Sequence, residues 1–397
     1  MSDAPTTTYG TILARNYLPK AVTLAQSLTR HHPDLQLAVL LIDVARDEDL
    51  PQIPGLITMS TECLGLSERE VLHEAMIYDL VEFATAVKPL FLQRLLRETD
   101  QAVYLDPDMY VTGPMEELPV DLANSAGGIL ITPHFLRPVT ADAAISEGHL
   151  LTVGVYNLGF CAVDRRAVDF LQWWWGHLAD NCLFDLLSGL FVDQKWVDIG
   201  SVLFHATAWQ HAGYNVSVAN LHERPIALES GDYQVVGTGD RLRLFHFHAF
   251  DTSAPTELST RFGGSTAELR VGSEALDTLC VEYASALLAN EKLYGDWPSY
   301  PYWHDSTGQR ISRHLRRAYR LASSEGALPS PFLPEDREAY VQWRRKSWKS
   351  VGKGLVGDAA KSARAALPDE ILRFKKRFPK LADGVRENFV SNDGIWG

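Results

Sequence analysis

The sequence predicts an α/β fold followed by a mostly helical C-terminal region. In the first half, short apolar runs alternate with segments of helical periodicity, which is typical of a sheet with parallel strand pairs. After about residue 251 the pattern becomes helical, with connectors rich in Trp, Tyr and Pro. Because ligands of open α/β sheets bind beyond the carboxyl ends of the strands, we expect the functional residues there.

The apolar pattern also predicts where the elements and domains lie. Apolar runs predict strands at 9–13, 36–43, 102–105, 128–132, 156–163, 216–220 and 242–248. Helical spacing predicts helices at 20–31, at 68–98 with a break near Pro89, and at 166–180. We predict an α/β domain of residues 1–255, a helical extension of 256–340 and a basic tail of 341–397.

The composition is that of an ordinary globular protein, because 46% of the 397 residues are hydrophobic and 22% are charged. No run approaches the about 18 consecutive apolar residues that a transmembrane helix requires. Residues 1–8 lack the basic and apolar segments of a secretory signal, so we expect a cytoplasmic protein. The four cysteines form no CxxC pair and are expected to be reduced and buried.

Charge is distributed unevenly along the chain. The net charge is −13, yet residues 344–380 contain twelve Lys or Arg against three acids, a net charge of +9. The acidic remainder argues against general nucleic-acid binding, because phosphate contacts need basic side chains. Aromatic and aliphatic residues interleave with the basic ones, which is typical of an amphipathic helix at the anionic inner face of a membrane. The alternative is that the tail packs on the acidic body, within one chain or across a homodimer.

Two acids follow the predicted strand at 102–105. Asp106 and Asp108 emerge from its carboxyl end, before a second apolar segment at 109–111. Mg²⁺ and Mn²⁺ prefer oxygen ligands and keep open positions for substrate phosphates. Two such acids can hold one metal ion against a diphosphate. Asp106 can instead bind a ribose or make its contact through a bridging water. The alternative is a strand-end turn with surface acids, as we expect for the acidic run at 47–49.

The segment YLDPDMYV resembles the DxD motif of the GT-A glycosyltransferases. Other segments resemble, in order, those of the family-eight-like retaining enzymes: TILARNYLPKAVTLAQSL, YDLVEFATAVKPLFL, NLGF, FVDQKWVD and LFHFHAF. Together they cover roughly residues 9–251. The resemblance implies a GT-A (Rossmann-like) nucleotide-sugar-binding domain. Its activity would be transfer of a sugar from a UDP-sugar donor to an unidentified acceptor, with Mn²⁺ or Mg²⁺ as cofactor.

By the same resemblance, the segment after the first strand binds the nucleotide. Main-chain groups would read the edge of a uracil base, and Tyr17 would stack on it. The residues that line the base would be Thr11, Ala14, Arg15 and Asn16. The alternative is a plain β–α connection, because Leu18-Pro19 is also a good helix start.

Three further segments are implied to contact the diphosphate and the sugar. Lys88 interrupts an apolar helix surface, and its compact charge suits phosphates or a donor hydroxyl. The alternative is an ordinary surface lysine. The resemblance places Asn157 and Gly159 near the sugar, with Asp193 and Gln194 on its opposite side. Asp193 is alternatively the N-cap of the helix that follows it.

His246 and His248 alternate with two phenylalanines, so both histidines share one face of the predicted strand. Imidazole nitrogen is a suitable ligand for Mn²⁺. The resemblance matches His246 to the third metal ligand beside Asp106 and Asp108. It leaves open that His248 is the ligand or contacts phosphate. The alternative is that both histidines have structural roles.

The resemblance also implies retention of the anomeric configuration. The metal, Lys88 and His248 would stabilise the leaving diphosphate, and Lys88, Asp193 and Gln194 are the candidate catalytic residues. Asp193 is the candidate nucleophile or cation stabiliser. Three alternatives stay open: an inverting GT-A enzyme, a nucleotidyltransferase, and a noncatalytic module that binds a sugar or a partner. A nucleotidyltransferase usually needs a basic Gly-rich loop, and residues 14–20 show no convincing one.

Overall fold

The computed structural model describes residues 5–139, 145–255, 257–260, 274–347 and 352. Backbone proximity divides the chain into two compact units. The first unit comprises 1–67, 82–184 and 190–300, and the second comprises 68–81, 185–189 and 301–397. The predicted domain boundaries at 255 and 340 stay predictions.

The strands are short and mostly apolar. In chain order they are β1 (Thr7–Leu13), β2 (Leu37–Leu41), β3 (Leu56–Met59), β4 (Gln101–Leu105), β5 (Met109–Val111), β6 (Ile129–Pro133), β7 (Tyr156–Asp164), β8 (Phe184–Asp185), β9 (Leu190–Phe191), β10 (Thr207–Ala208), β11 (Val216–Ser217), β12 (Ile226–Glu229), β13 (Asp232–Val235) and β14 (Leu244–His246). β2 is buried at every position, which is typical of a strand covered on both faces of its sheet.

The helices, in chain order, are α1 (Leu18–His31), α2 (Glu68–Ile77), α3 (Leu80–Ala86), α4 (Lys88–Leu95), α5 (Glu117–Asn124), α6 (Glu147–Val153), α7 (Val168–Asn181), α8 (Gln194–Leu203), α9 (Glu274–Tyr294), α10 (Arg313–Ser323) and α11 (337–347). The single helix predicted at 68–98 is thus three helices. Pro89 lies in the first turn of α4, where its missing N–H leaves no helical hydrogen bond unmade. The helical path is therefore interrupted just before Pro89, between α3 and α4.

The first unit is built on a seven-stranded sheet with the order β10-β6-β7-β4-β1-β2-β3. All its strands point the same way except β7, which is antiparallel to both β4 and β6. The carboxyl ends of β1, β2 and β4 therefore lie at one edge. A separate small sheet has the order β11-β14-β5. This topology confirms the predicted α/β fold, and α9, α10 and α11 confirm the helical C-terminal region.

Helix α1 is held on two sides within the first unit. The backbone N–H of Val111 in β5 donates to the Ser27 hydroxyl at 3.1 Å. The buried amide of Asn290 in α9 donates to the Thr23 hydroxyl and to the Gln26 side-chain oxygen, each at 2.9 Å. These contacts fix the position of α1, whose first turn begins just beyond the carboxyl end of β1.

Arg316 organises the second unit. Its side chain is only 1% exposed, and its guanidinium donates to the backbone oxygens of Ala75 at 2.7 Å and Tyr78 at 2.6 Å. A further hydrogen bond of 2.6 Å reaches the Tyr302 carbonyl. The carbonyls in the last turn of a helix have no intrahelical hydrogen-bond partners. At the end of α2, Arg316 of α10 supplies these hydrogen bonds.

Most of the predicted basic tail falls on residues 348–351 and 353–397, which lie outside the described residues. The membrane and packing alternatives for this tail therefore stay predictions. Among the helices that the structure describes, none has the length and apolar content needed to cross a bilayer.

The packing of β1 on α4 allows a stability test at Gly10. A Cβ at this position would lie 2.7 Å from Phe91 Cε1 and 2.9 Å from Leu95 Cδ1, and Phe91 is fully buried. Overpacking of this kind costs about 1–3 kcal/mol, so Gly10→Ala should lower the free energy of unfolding by that amount. The measurement is denaturant unfolding followed by circular dichroism.

Gly176 in α7 provides the matched control, because no heavy atom lies within 4 Å of its added Cβ. Gly176→Ala should raise the free energy of unfolding by about 0.5–1 kcal/mol, since alanine is the better helix former. If both alanine variants are stabilised alike, the predicted clash at Gly10 is wrong.

Candidate functional site

The two acids lie in the turn between β4 and β5. Antiparallel pairing with β7 continues one residue past β4, because the Asp106 N–H donates to the Gly159 carbonyl at 2.8 Å. The turn closes when the Met109 N–H donates to the Asp106 carbonyl at 3.0 Å. The side chains of Asp106 and Asp108 stay 30% and 21% exposed, so both carboxylates reach solvent at the carboxyl edge of the sheet.

His246 faces both acids from the end of β14. β14 pairs antiparallel with β5, with His246 opposite Met109, and this register aligns the imidazole with the acidic turn. The buried Nε2 lies 3.0 Å from Asp108 Oδ1 and 3.5 Å from Asp106 Oδ2. One ligand atom from each of the three residues lies within 4.8 Å of the others. The structure therefore brings together the three residues that the sequence predicts as metal ligands.

Asn215 sets which nitrogen of His246 faces the acids. Its amide nitrogen lies 2.9 Å from the Asn157 carbonyl, which can only accept, and 2.7 Å from the Thr132 hydroxyl. The amide oxygen then faces His246 Nδ1 at 3.1 Å, so Nδ1 donates to it, and Nε2 is the nitrogen that faces the carboxylates. In the charged ring Nε2 donates a proton to them, and in the neutral ring its lone pair is free for a metal ion. A second hydrogen bond of this kind is typical of histidines that bind metals.

The three facing atoms need a proton or a metal ion between them. Two carboxylate oxygens and an imidazole lone pair are all acceptors, and acceptors held this close repel one another unless a proton or a metal ion intervenes. Although burial raises the pKa of Asp108, the charges of His246, Lys20 and His248 outweigh it and hold that pKa well below its usual range. The donor set of two oxygens and one nitrogen fits a divalent ion such as Mn²⁺.

Gly159 makes room for this cluster. A Cβ at Gly159 would lie 2.3 Å from His246 Cε1 and 2.9 Å from Asp106 Oδ2, so no other residue fits without displacing one of them. The Gly159 N–H donates to the side-chain oxygen of Asn157 at 3.1 Å. The amide nitrogen of Asn157 is buried and has no hydrogen-bond partner among the residues that the structure describes.

Lys88 and Asp193 form a buried ion pair beside the acids. Lys88 Nζ lies 2.5 Å from Asp193 Oδ2 and 2.9 Å from the Leu158 carbonyl, and both side chains are at most 4% exposed. The ammonium also lies 4.2 Å from the centre of the Tyr104 ring, whose hydroxyl donates to Asp106 Oδ1 at 2.7 Å. Burial lowers the pKa of Lys88, but Asp193 and Asp106 outweigh it and raise this pKa, so the lysine keeps its charge.

The helix-capping alternative for Asp193 is wrong in its detail. Asp193 does occupy the N-cap position of α8, but its side chain makes no capping hydrogen bond. Gln194 beside it is buried, and its amide nitrogen lies 3.0 Å from the Val153 carbonyl and 3.2 Å from His134 Nε2. Burial lowers the pKa of His134 to about 3, so this imidazole is neutral and accepts from the amide.

The segment predicted to bind the base divides into buried and exposed parts. The side chains of Thr11 and Ala14 are fully buried, so only their main-chain groups can reach a ligand. The Arg15 guanidinium donates to Asp43 Oδ2 at 3.1 Å, and the Arg15 N–H donates to Oδ1 at 3.0 Å. Asn16 and Tyr17 are exposed at the carboxyl edge of the sheet.

The two predicted histidines do not occupy equivalent positions. Their ring centres lie 3.6 Å apart, and His246 is the one within ligand distance of the acids. His248 follows β14 and is half-buried. Phe245 and Phe247 pack into a buried cluster on the other side, as strand alternation predicts.

Sequence reasoning did not identify Tyr104, Asn215 or Asp43 as parts of the site. Tyr104 precedes Asp106 by two residues and so shares its strand face, a signal that could have identified it. Asp43 follows β2 at the same sheet edge as the acids. Asn215 has a φ of 52°, a left-handed conformation that asparagine tolerates, but no local pattern shows its contact with His246.

Comparisons with known proteins give partial matches. No protein-family model matches the sequence. A Bacillus subtilis (strain 168) protein, the uncharacterized protein YfnF, is 25% identical over 255 residues, which cover 62% of this chain and 82% of that protein.

Solved structures of glycosyltransferases resemble the chain at low sequence identity. The galactosyltransferase LgtC, in complex with donor and acceptor sugar analogs, is 15% identical, with 75% of this chain and 99% of that chain covered and a TM-score of 0.39. Mouse xyloside xylosyltransferase 1 is 14% identical, and the match covers 53% of this chain and 87% of that chain, with a TM-score of 0.33. The bifunctional glycosyltransferase WbbM is 13% identical, and the match covers 71% of this chain and 52% of that chain, with a TM-score of 0.36. The functional assignment therefore rests on the geometry of the site.

The buried ion pair generates a pH-dependent stability prediction. Lys88→Met leaves the Asp193 carboxylate buried without its counter-ion, and breaking a buried pair from one side costs about 3–5 kcal/mol. Burial and Asp106 then raise the pKa of Asp193 without the opposing charge of Lys88, so the folded protein binds this proton more tightly than the unfolded chain does. The destabilisation relative to wild type should be small below about pH 3.9, the usual pKa of aspartate, and grow as the pH rises.

Denaturant unfolding at several pH values between 4 and 8 measures this difference. The control is Lys88→Met combined with Asp193→Asn, in which this pH dependence should disappear because position 193 no longer has a carboxylate. A loss of stability in Lys88→Met that is equal at every pH would contradict the role of Asp193 as its buried counter-ion.

Proposed function

We propose that the chain is a metal-dependent glycosyltransferase of the GT-A type that uses a UDP-sugar donor. The observation that carries the proposal is the convergence of Asp106, Asp108 and His246 at the carboxyl edge of the sheet. These residues would hold Mn²⁺ or Mg²⁺, and the imidazole ligand favours Mn²⁺. When bound, the ion supplies positive charge to the donor diphosphate.

The surroundings of this cluster suit a nucleotide-sugar. Tyr17 and Asn16 are exposed where a base would lie, with the main chain of residues 11–15 beneath them. The unpaired amide nitrogen of Asn157 offers a polar contact for the sugar, and the bare backbone of Gly159 lets the His246 ring and the Asp106 carboxylate lie next to it. The identity of the base as uracil rests on the resemblance of the first loop and of the helix that precedes the DxD strand.

The reaction we propose breaks the bond between the anomeric carbon of the sugar and the donor phosphate. Positive charge then develops on the sugar, and negative charge develops on the leaving diphosphate. Asp193 is buried and paired with Lys88, which suits it to stabilise a cation rather than to abstract a proton. The departing phosphate would take the acceptor proton, and the product would retain its configuration.

A thermal-shift screen of nucleotide-sugars with Mn²⁺, followed by a transfer assay on the best hit, tests the proposal. We expect stabilisation by one UDP-sugar, its loss on chelation, and a product whose retained configuration is visible by NMR. Inversion would refute the retaining mechanism alone, release of pyrophosphate would indicate a nucleotidyltransferase, and no binding or transfer with any metal would refute the enzyme. Tighter binding of GDP than of UDP would refute the donor assignment.

Asp108→Asn should abolish Mn²⁺-dependent UDP binding, because the amide cannot supply the charge of the carboxylate. Its melting temperature should change little, because the side chain is partly exposed. Calorimetric titration of UDP measures the effect. Asp49→Asn, in the exposed acidic run that follows β2, is the matched control and should bind as wild type does. Unchanged UDP affinity in Asp108→Asn would rule out the assigned metal site.

Gly159→Ala tests the space around the cluster without removing a ligand. The added methyl would displace the His246 ring or the Asp106 carboxylate, so Mn²⁺ affinity should fall at least tenfold, equivalent to about 1.4 kcal/mol. Mn²⁺ titration followed by electron paramagnetic resonance measures this affinity directly. Gly148→Ala is the control, since its Cβ would meet only Ser146 Oγ, at 3.6 Å. Equal Mn²⁺ affinity in both variants would show that Gly159 does not shape the site.

A further inference from the structure

Lys20 lies in the first turn of α1, and the packing of α1 on β5 places it level with the acidic turn. The anchor of this register is the hydrogen bond from the Val111 N–H to the Ser27 hydroxyl. Lys20 precedes Ser27 by two helical turns on the same helix face, a distance of about 10 Å. Asp108 ends the turn that leads into β5 and lies three residues before Val111, again about 10 Å. Both residues therefore lie near the carboxyl edge of the sheet, where α1 and β5 begin.

The Lys20 ammonium is not neutralised by a neighbouring acid. Its Nζ lies 5.3 Å from the centre of the Tyr17 ring, and within the described residues it makes no hydrogen bond or ion pair. Two other basic side chains near this edge do have acidic partners, because Lys88 is paired with Asp193 and Arg15 with Asp43. Lys20 thus has donors available for a ligand.

The charge balance of a donor complex leaves a place for this lysine. A divalent ion between Asp106 and Asp108 has its charge balanced by the two carboxylates. The diphosphate of a nucleotide-sugar brings further negative charge, and the charge of Lys88 is already balanced by Asp193. An ammonium near the same edge supplies a charge-assisted donor to phosphate oxygen.

The spacing between Tyr17 and Lys20, at the start of α1, also suits a nucleotide. Lys20 follows Tyr17 by three residues, about one helical turn, and Tyr17 is the side chain proposed to stack on the base. In a nucleoside diphosphate, one ribose separates the base from the phosphates. A base on Tyr17 thus brings the diphosphate close to Lys20, whose Nζ lies 5.3 Å from the centre of the Tyr17 ring.

We propose that Lys20 binds the diphosphate of the donor, and that it stabilises the same group as it leaves. This inference rests on the proposed function, in that the donor is taken to be a nucleoside diphosphate sugar. It assigns a binding residue outside the DxD turn, from a helix that sequence reasoning associates only with the base.

The test compares three ligands in the presence of Mn²⁺: UDP, uridine and inorganic pyrophosphate. Calorimetry gives their affinities for wild type, Lys20→Gln and Lys20→Arg. We expect Lys20→Gln to weaken UDP and pyrophosphate about tenfold and to leave uridine unchanged. Lys20→Arg should recover most of the loss, because it keeps the charge. Lys292→Gln, at an exposed position of α9, is the control and should match wild type.

The outcomes separate the lysine from the proposed function. Wild-type affinity for UDP and pyrophosphate in Lys20→Gln would overturn the inference. Equal weakening of uridine would also overturn it, because Lys20 would then act through Tyr17. If wild type binds pyrophosphate through Lys20 but shows no preference for UDP over pyrophosphate, the lysine assignment stands and the UDP-sugar donor fails. If wild type binds neither UDP nor pyrophosphate, both the Lys20 assignment and the UDP-sugar donor are refuted.

Discussion

The close approach of β7 to the turn after β4 is the constraint on which the site depends. Gly159 accepts the hydrogen bond of the Asp106 N–H, and His246 occupies the space that a Cβ on Gly159 would fill. One strand thus fixes the backbone of the first acid and leaves room for an imidazole from a different sheet. Without this bare backbone, the polar ends of β4 and β14 could not meet.

A layer of buried polar groups holds the acids from beneath. Tyr104 connects Asp106 to the Lys88–Asp193 pair, and Asn215 connects His246 to the backbone of β7. A buried ion pair contributes little net stability, because desolvation offsets its attraction. Its value here is geometric, since groups locked by several hydrogen bonds keep a site in one arrangement.

Strands and site residues could be predicted where neighbouring residues in the sequence determine the structure. β2 was predictable because a continuous apolar run is buried at every position, and Asp106 and Asp108 were predictable because they follow such a strand. β3 was not predicted because it is only four residues long, too short a run to give a clear pattern, and it lies at the edge of the sheet with Ile57 42% exposed. The capping interpretation of Asp193 failed in its detail because a lysine 105 positions earlier in the chain binds the carboxylate. Asn215 and Lys20 also depend on contacts that only the folded chain creates.

The guanidinium of Arg316 has a consequence for how the chain is made. It satisfies the carbonyls at the end of α2, and its partner Ala75 lies 241 residues earlier in the sequence. Synthesis proceeds from the N-terminus, so the last turn of α2 emerges from the ribosome long before this cap exists and must be solvated by water meanwhile. The second unit is assembled from segments far apart in the chain, and this part of it cannot complete its hydrogen bonds until α10 has been translated.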